Sequence, residues 1–387
     1  MNMGGSLDSK ERVKAALSFQ EPDRPPCGFY AIDHDTVEKI IGRPTYVRNK
    51  AKTRKALWEG RRDEVVQSYI EDSIDLFEKL SDVVDIINLF TELYPVLPPK
   101  GWKDPDPPKQ IDDYTWKDSQ GRTYKYSEHT ADITLVHDPN QFTREFSESD
   151  FPLDFEGEGE DESIYEALDP IVERFKDRKF ILGPFPLAKE LLLLGGFERG
   201  LQEMAVAPEL VDRAVESAIA RSEALQRHWH NRGYDGLFAG EDFAYNDGPF
   251  MSPAMFKRFS YPALKANVDF AHAKGLPFLH HACGNNWALL DFFMEAGIDC
   301  YQSIQASAGM DLAKVKECTY GRMAIWGGAL VENLVSGTPE DVRENVRQAL
   351  EIGAPGGGYI FGTSHSIAVG STYDNVMAMF DTFVKYR

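Results

Sequence analysis

Pro277-Phe278-Leu279-His280-His281-Ala282-Cys283-Gly284-Asn285 is a short apolar run that ends in two histidines, a cysteine and a glycine. Its first half predicts a strand over 277–281. Alternate side chains of a strand share a face, so His281 and Cys283 point one way and His280 the other. Runs of the same kind lie on either side, at 179–183, 236–239, 299–304, 323–326 and 358–362, each closing in polar residues or glycine. Helical patterns separate them, over 208–226, from 291 to 296, and over 339–351. The last opens on Thr338-Pro339-Glu340-Asp341, an N-cap followed by proline and acids in the first turn. Strands alternating with helices predict parallel βαβ units. Two earlier runs, 26–31 and 83–89, bring the count to eight, which predicts an α/β chain closed into a (β/α)8 TIM barrel. Barrel enzymes carry their chemistry at the C-terminal ends of the strands, and that is where His281 and Cys283 fall.

The rhythm breaks between about 95 and 160. Leu97-Pro98-Pro99-Lys100 and Asp104-Pro105-Asp106-Pro107-Pro108 are rich in proline, and aromatic and β-branched residues flank Ser119-Gln120-Gly121 over 114–126, the pattern of a β-hairpin. An acidic, glycine-containing linker follows at 156–162. This stretch is expected to be an insertion between barrel strands that caps the mouth. With an N-terminal extension before the first strand, the 387 residues form one domain.

Lysine plus arginine number 42 against 62 aspartates and glutamates, a formal charge of −20. Such a surface repels nucleic acid and anionic lipid, whose binding depends on neutralising cations. The longest apolar run, near Leu191–Leu194, is too short to span a bilayer. The polar stretch from 1 to 12 is no signal peptide. Of the four cysteines, Cys27, Cys283, Cys300 and Cys318, none forms a CxxC pair, so a reducing, cytoplasmic setting is expected. Cys27, Cys300 and Cys318 read as structural.

His281 and Cys283 together are half of a zinc site, which needs three or four ligands. The alternative is a satisfied core histidine beside a small buried cysteine. A second cluster, Gly356-Gly357-Gly358-Tyr359-Ile360-Phe361-Gly362-Thr363-Ser364-His365, puts His365 beyond the last strand, on the same mouth, where it could complete a His-Cys-His set. Its glycines precede the strand, the wrong end for a barrel phosphate site. A third, Gly240-Glu241-Asp242-Phe243-Ala244-Tyr245-Asn246, offers adjacent carboxylates at a strand end, as metal ligand, general acid or substrate anchor. Tyr245, Gln302, Gln305, Trp326 and Glu332 are candidate pocket lining, and Gly327 and Gly328 would let backbone approach a ligand.

These landmarks resemble the uroporphyrinogen decarboxylase superfamily over nearly the whole chain. Glu11-Arg12-Val13-Lys14-Ala15-Ala16-Leu17 followed by Pro22-Asp23-Arg24-Pro25-Pro26 is similar to the family opening, and Met251-Ser252-Pro253-Ala254-Met255-Phe256, His281-Ala282-Cys283-Gly284-Asn285 and Gly356-Gly357-Gly358-Tyr359 to its later landmarks. True decarboxylases grip a polyanionic porphyrinogen with an arginine-rich motif near the N-terminus. Here the matching stretch, Gly28-Phe29-Tyr30-Ala31-Ile32-Asp33-His34-Asp35, has no arginine. The resemblance therefore points to the superfamily's zinc-dependent, corrinoid-linked methyltransferases. It implies zinc on His281 and Cys283, with His365 where that branch carries a later cysteine. One thiolate fewer makes the metal more electrophilic and favours an O-methyl donor, with Glu241 or Asp242 handling protons or adding a ligand. The chain shows no corrinoid-binding domain, so cobalamin is expected on a separate corrinoid protein. A homodimer is allowed but not dictated. Two other readings stand beside this one. The first is a metal-independent decarboxylase of a small aromatic or tetrapyrrole-like acid. The second is a catalytically silent barrel that binds a ligand or protein.

Overall fold

The computed structural model describes residues 6–92, 97–157, 159 and 161–387. Residues 1–5 and both expected ends of the insertion, Pro95 and Glu160, lie outside the described residues, as does Glu158 of the acidic linker. In chain order the strands are β1 (Ile86–Asn88), β2 (Lys109–Asp112), β3 (Thr115–Lys117), β4 (Thr123–Ser127), β5 (Asp132–His137), β6 (Phe180–Gly183), β7 (Gly236–Gly240), β8 (Ala244–Tyr245), β9 (Gly248–Pro249), β10 (Phe278–His281), β11 (Cys300–Ser303), β12 (Ala324–Ala329) and β13 (Tyr359–Thr363).

Seven of them form one parallel sheet in the order β1-β6-β7-β10-β11-β12-β13. The expected first strand, 26–31, is not a continuous strand. It makes isolated parallel bridges to the far edge of the sheet, Cys27 to Phe361 and Ile32 to Ile367. Gly28 N donates to Phe361 O at 3.0 Å, while Cys27 O accepts from Asp85 N (2.7 Å) and Ile86 N (3.1 Å) at the other edge. One extended segment thus ties both edges of the curled sheet. Prolines 22, 25 and 26 around its start lack the N–H groups a regular ladder needs.

Period-two alternation sorts the side chains. Ile86, Phe180, Leu182, Phe238, Leu279, Cys300, Ala324, Trp326 and Ile360 pack together inside the curl, joined by Val13 and Ala16 of the helix Ser9–Leu17. Phe278 and Tyr301 belong to the second, larger core, between sheet and helices. Leu279 faces inward, so His281 does too and His280 does not. The helices Pro208–Gln226, Leu290–Ala296 and Pro339–Gly353 follow the expected patterns, the structure adds Tyr261–Ala273, and Thr338 with Asp341 makes a capping box.

The insertion folds as a four-stranded antiparallel sheet, β2-β3-β4-β5. Its expected hairpin is β3–β4. Asp118 holds the turn by accepting from Gln120 N and Arg122 N at 3.0 and 2.9 Å. Trp116 and Ile133 pack on Ala51, and Trp58 is edge-on to Tyr124, so this sheet leans on the helix Lys50–Trp58. Its tail reaches a second sector of the rim, where Arg199 donates to Gln141 O (2.8 Å) and Arg213 to Phe151 O (2.9 Å). No helix among the described residues is long and apolar enough to cross a membrane.

Candidate metal centre at the barrel mouth

The loop after β10 is wound tightly. Asn286 Nδ2 donates to the carbonyls of Ala282 (3.1 Å) and Cys283 (2.9 Å), and Tyr301 OH donates to Ala282 O at 2.9 Å. Gly284 has φ +86°, and a Cβ there would stand 2.2 Å from Ala244 O, so only glycine fits. The winding holds Cys283 Sγ 3.3 Å from His281 Nε2. Ligand atoms of His281, Cys283 and His365 all lie within 4.8 Å of one another. Zinc–sulfur and zinc–nitrogen bonds of about 2.3 and 2.0–2.1 Å would set tetrahedral neighbours about 3.3–3.6 Å apart. The Sγ–Nε2 distance already matches, and two imidazoles with one thiol fit the donor preference of zinc. Three protein ligands are also the count of catalytic zinc sites rather than structural ones.

Each imidazole has a partner behind it. Gln302 Nε2 donates to Thr363 O at 3.0 Å, which orients the amide so that Oε1 meets His281 Nδ1. His281 therefore carries its proton on Nδ1 and offers Nε2 as a lone pair. His365 Nδ1 meets Ser366 Oγ at 3.0 Å. Tyr30 stacks on His281 with ring centres 4.0 Å apart and lies 5.4 Å from His365. At the end of β11, Ser303 and Ile304 have φ of +135° and +52°, and for a β-branched residue that is strained backbone. The kink brings Ser303 Oγ to 3.5 Å from Cys283 Sγ. Gly327 permits it, because a Cβ there would stand 2.7 Å from Ser303 O.

Burial and then the charge of Asp242 push the Cys283 thiol up to about 12. Burial lowers His365 to about 4, and His281 is lowered for the same reason. At neutral pH the three are a thiol and two uncharged imidazoles, not a thiolate–imidazolium pair. A nucleophilic cysteine needs the opposite arrangement. A buried dication would supply the positive charge that makes a thiolate stable here.

The other expected site residues divide. Asp242 is at the centre's edge, its Oδ1 2.7 Å from Cys283 N as acceptor and 3.7 Å from His281 Nε2. Glu241 is on the other face, in the field of Lys189, Glu190 and His280. Burial, opposed by Lys189, brings its carboxyl up to about 7. Tyr245 sits on the rim, edge-on to Phe250, and its carbonyl accepts from Asn285 N. Gln305 accepts from Gly284 N at 2.8 Å and so braces the loop. Gln302 is fully buried and serves His281 rather than a pocket. Glu332 lies within the field of Cys283. Trp326 does not line the mouth. It is fully buried inside the curl, its Nε1 donating to Gly28 O at 2.9 Å. The cysteines expected to be structural are Cys27 and Cys300, buried, and Cys318, exposed. Tyr30, Asp33, Arg48 and Ser366 also stand at or behind the site, and no sequence motif marks them. The aromatic and acidic residues of 28–35, noted only for lacking arginine, were the available signal.

Residues 140–386 match the family model of uroporphyrinogen decarboxylase (URO-D). The chain belongs to the uroporphyrinogen decarboxylase family. A methyltransferase from Methanosarcina mazei is a similar solved structure. It has a TM-score of 0.61 and 17% identity, over 98% of this chain and 99% of that one. A comparison with curated protein sequences gave no match.

Proposed function

We propose that this URO-D family member is a zinc-dependent methyltransferase that moves a methyl group from a methoxylated or otherwise methylated small molecule to a corrinoid on a partner protein. The observation that carries the reading is the convergence of His281, Cys283 and His365 at the strand ends, with ligand atoms within 4.8 Å. The methanogen methyltransferase that shares the fold over almost its whole length supports the reaction class. The bridging segment 26–32 supports a barrel closed by an eighth stave, which would make the mouth a complete ring.

In this reading His281, Cys283 and His365 hold the ion. A bound zinc supplies Lewis acidity, stabilising the Cys283 thiolate and polarising a heteroatom of the methyl donor. The chain's own residues do the rest. Gln302 fixes the His281 ring, and Tyr30 covers one face of that ring against water. Asp242, half-exposed at the mouth, holds Oδ1 on Cys283 N and 3.7 Å from His281 Nε2, and is the group proposed to carry the thiol's proton to solvent. The stretch 28–35 brings Tyr30 and the acid Asp33 to the site.

Elemental analysis of the purified protein tests the reading. It should carry about one zinc per chain, lost in Cys283→Ala, and should methylate a cob(I)alamin-loaded corrinoid protein from at least one donor in a panel of methyl ethers and methylamines. Activity in a protein free of transition metal would overturn it. Chelator-insensitive CO2 release from an aromatic acid would instead favour decarboxylation.

A further inference from the structure

Ser366, Asp33 and Arg48 form a buried chain behind His365. His365 Nδ1 is 3.0 Å from Ser366 Oγ, and that hydroxyl donates to Asp33 Oδ2 at 3.1 Å. Asp33 Oδ1 accepts from Arg48 Nε at 2.9 Å, and Arg48 Nη1 donates to Thr91 O at 2.9 Å. Ser366, Asp33 and Arg48 are each at most 5% exposed. Backbone sets the register: Ile367 N donates to Ala31 O (2.9 Å) and Asp33 N to Ile367 O (3.0 Å), so residues 333 positions apart face each other. Arg48 is held at φ +56°, a conformation that non-glycine residues rarely adopt.

The proton count along this chain has one solution. Asp33, ion-paired to Arg48, can only accept. The single Ser366 proton is therefore committed to Asp33, and Ser366 Oγ is left to accept from His365. We propose that Asp33, acting through Ser366, is a positioning residue that fixes His365 as the Nδ1–H tautomer and leaves Nε2 bare for the metal. A free neutral histidine favours the opposite form, with the proton on Nε2, so the relay reverses the default. The purpose rests on the metal-site reading above, but the tautomer does not. Gln302 does the same for His281 without a charge, since it is itself oriented by Thr363 O.

The test uses chelator-treated full-length protein with 15N-labelled histidine, read by long-range 1H–15N correlation. His365 is assigned by the signal missing in His365→Gln. Wild type should show the His365 proton on Nδ1. Ser366→Ala should move it to Nε2 or to a mixture, with circular dichroism unchanged, and Asp33→Asn should shift it in the same direction. Cobalt(II) titration of the same proteins should show affinity about 10–100-fold lower in Ser366→Ala, with altered visible absorption bands. A wild-type proton on Nε2 overturns the proposal without any variant. So does a Ser366→Ala protein that keeps both the Nδ1–H form and wild-type cobalt affinity. Wild-type protein that shows the Nδ1–H form, loses it in Ser366→Ala and binds no cobalt upholds the relay and overturns the metal reading alone.

Discussion

His280 and His281 are neighbours on one strand, and the pleat sends them to different chemistries. His280 points outward into the layer between sheet and helices. There its Nε2 meets Glu190 Oε2 at 2.5 Å and its ring lies against Phe243, Phe278 and Phe293. Glu190 is completed by Asn267 Nδ2 at 2.9 Å. His281 points inward to the mouth, backed by an amide, Gln302. One histidine has a carboxylate and its ring fully enclosed in packing. The other has a neutral acceptor and a nitrogen left facing a thiol. Residue type and burial are the same for both, so it is the second nitrogen's surroundings that separate a packing histidine from a candidate ligand.

Removing each ring in turn should break the pair cleanly. His281→Ala deletes a ligand, and its metal affinity should fall by more than the ~10–100-fold that changes behind a ligand usually cost. Unfolding in denaturant of the metal-free variant should show a smaller loss of stability than His280→Ala, because the acceptor left unpaired, Gln302, carries no charge. His280→Ala leaves the buried Glu190 carboxylate without its imidazole and opens a hole among three phenylalanines. The expected loss is about 3–5 kcal/mol of stability, measured by denaturant titration, with metal content per folded chain unchanged. If both variants lost metal in proportion to lost stability, the division between the two faces would be wrong.

Much of this was legible because alternation is a short-range property. The 277–281 run assigns His281 to the inward face before any tertiary contact is known, whereas Cys283, beyond the end of β10, is brought beside it by the winding of the loop, and His365 follows from its place just beyond a strand. Trp326 was misread for a related reason. Its strand was expected to end at Trp326, but β12 runs on to Ala329. At about 3.3 Å per residue that sinks the indole roughly 10 Å below the mouth. The glycines at 327 and 328, expected beyond the strand end as points of close approach to a ligand, are in fact strand residues. Asp33 and Ser366 were out of reach altogether. They meet only because an irregular segment near one end of the chain lies against the last strand near the other, and no local pattern encodes that pairing.

The acceptors behind the two histidines sharpen the contrast further. Gln302→Leu keeps the volume and removes Oε1, so His281 Nδ1–H loses its partner and the ring is free to turn. Metal affinity should fall about 10–100-fold, a smaller loss than that of His281→Ala. Gln302→Glu should keep the acceptor and restore most of the affinity. Competition of each variant against a colorimetric chelator measures both. Equal affinity in Gln302→Leu and wild type would mean that packing against Tyr30 alone orients His281.

Per unit of pH, the smallest effect is the one that acidity should produce. With the thiol at about 12, Cys283 stays protonated through the neutral range and must surrender that proton to bind a dication. His365, lowered to about 4, has already lost its proton above about pH 5, and His281, lowered by burial below the ordinary imidazole value, is uncharged at neutral pH. Binding should therefore release about one proton, and metal affinity should rise about tenfold for each pH unit between roughly pH 7 and 9. Towards pH 4 protonation of His365 begins to compete, and the dependence should steepen. Calorimetric titration in buffers of different ionisation enthalpy counts the protons directly. A count near zero would mean that Cys283 contributes no thiolate, and the inward face of β10 would then differ from the outward face in packing alone.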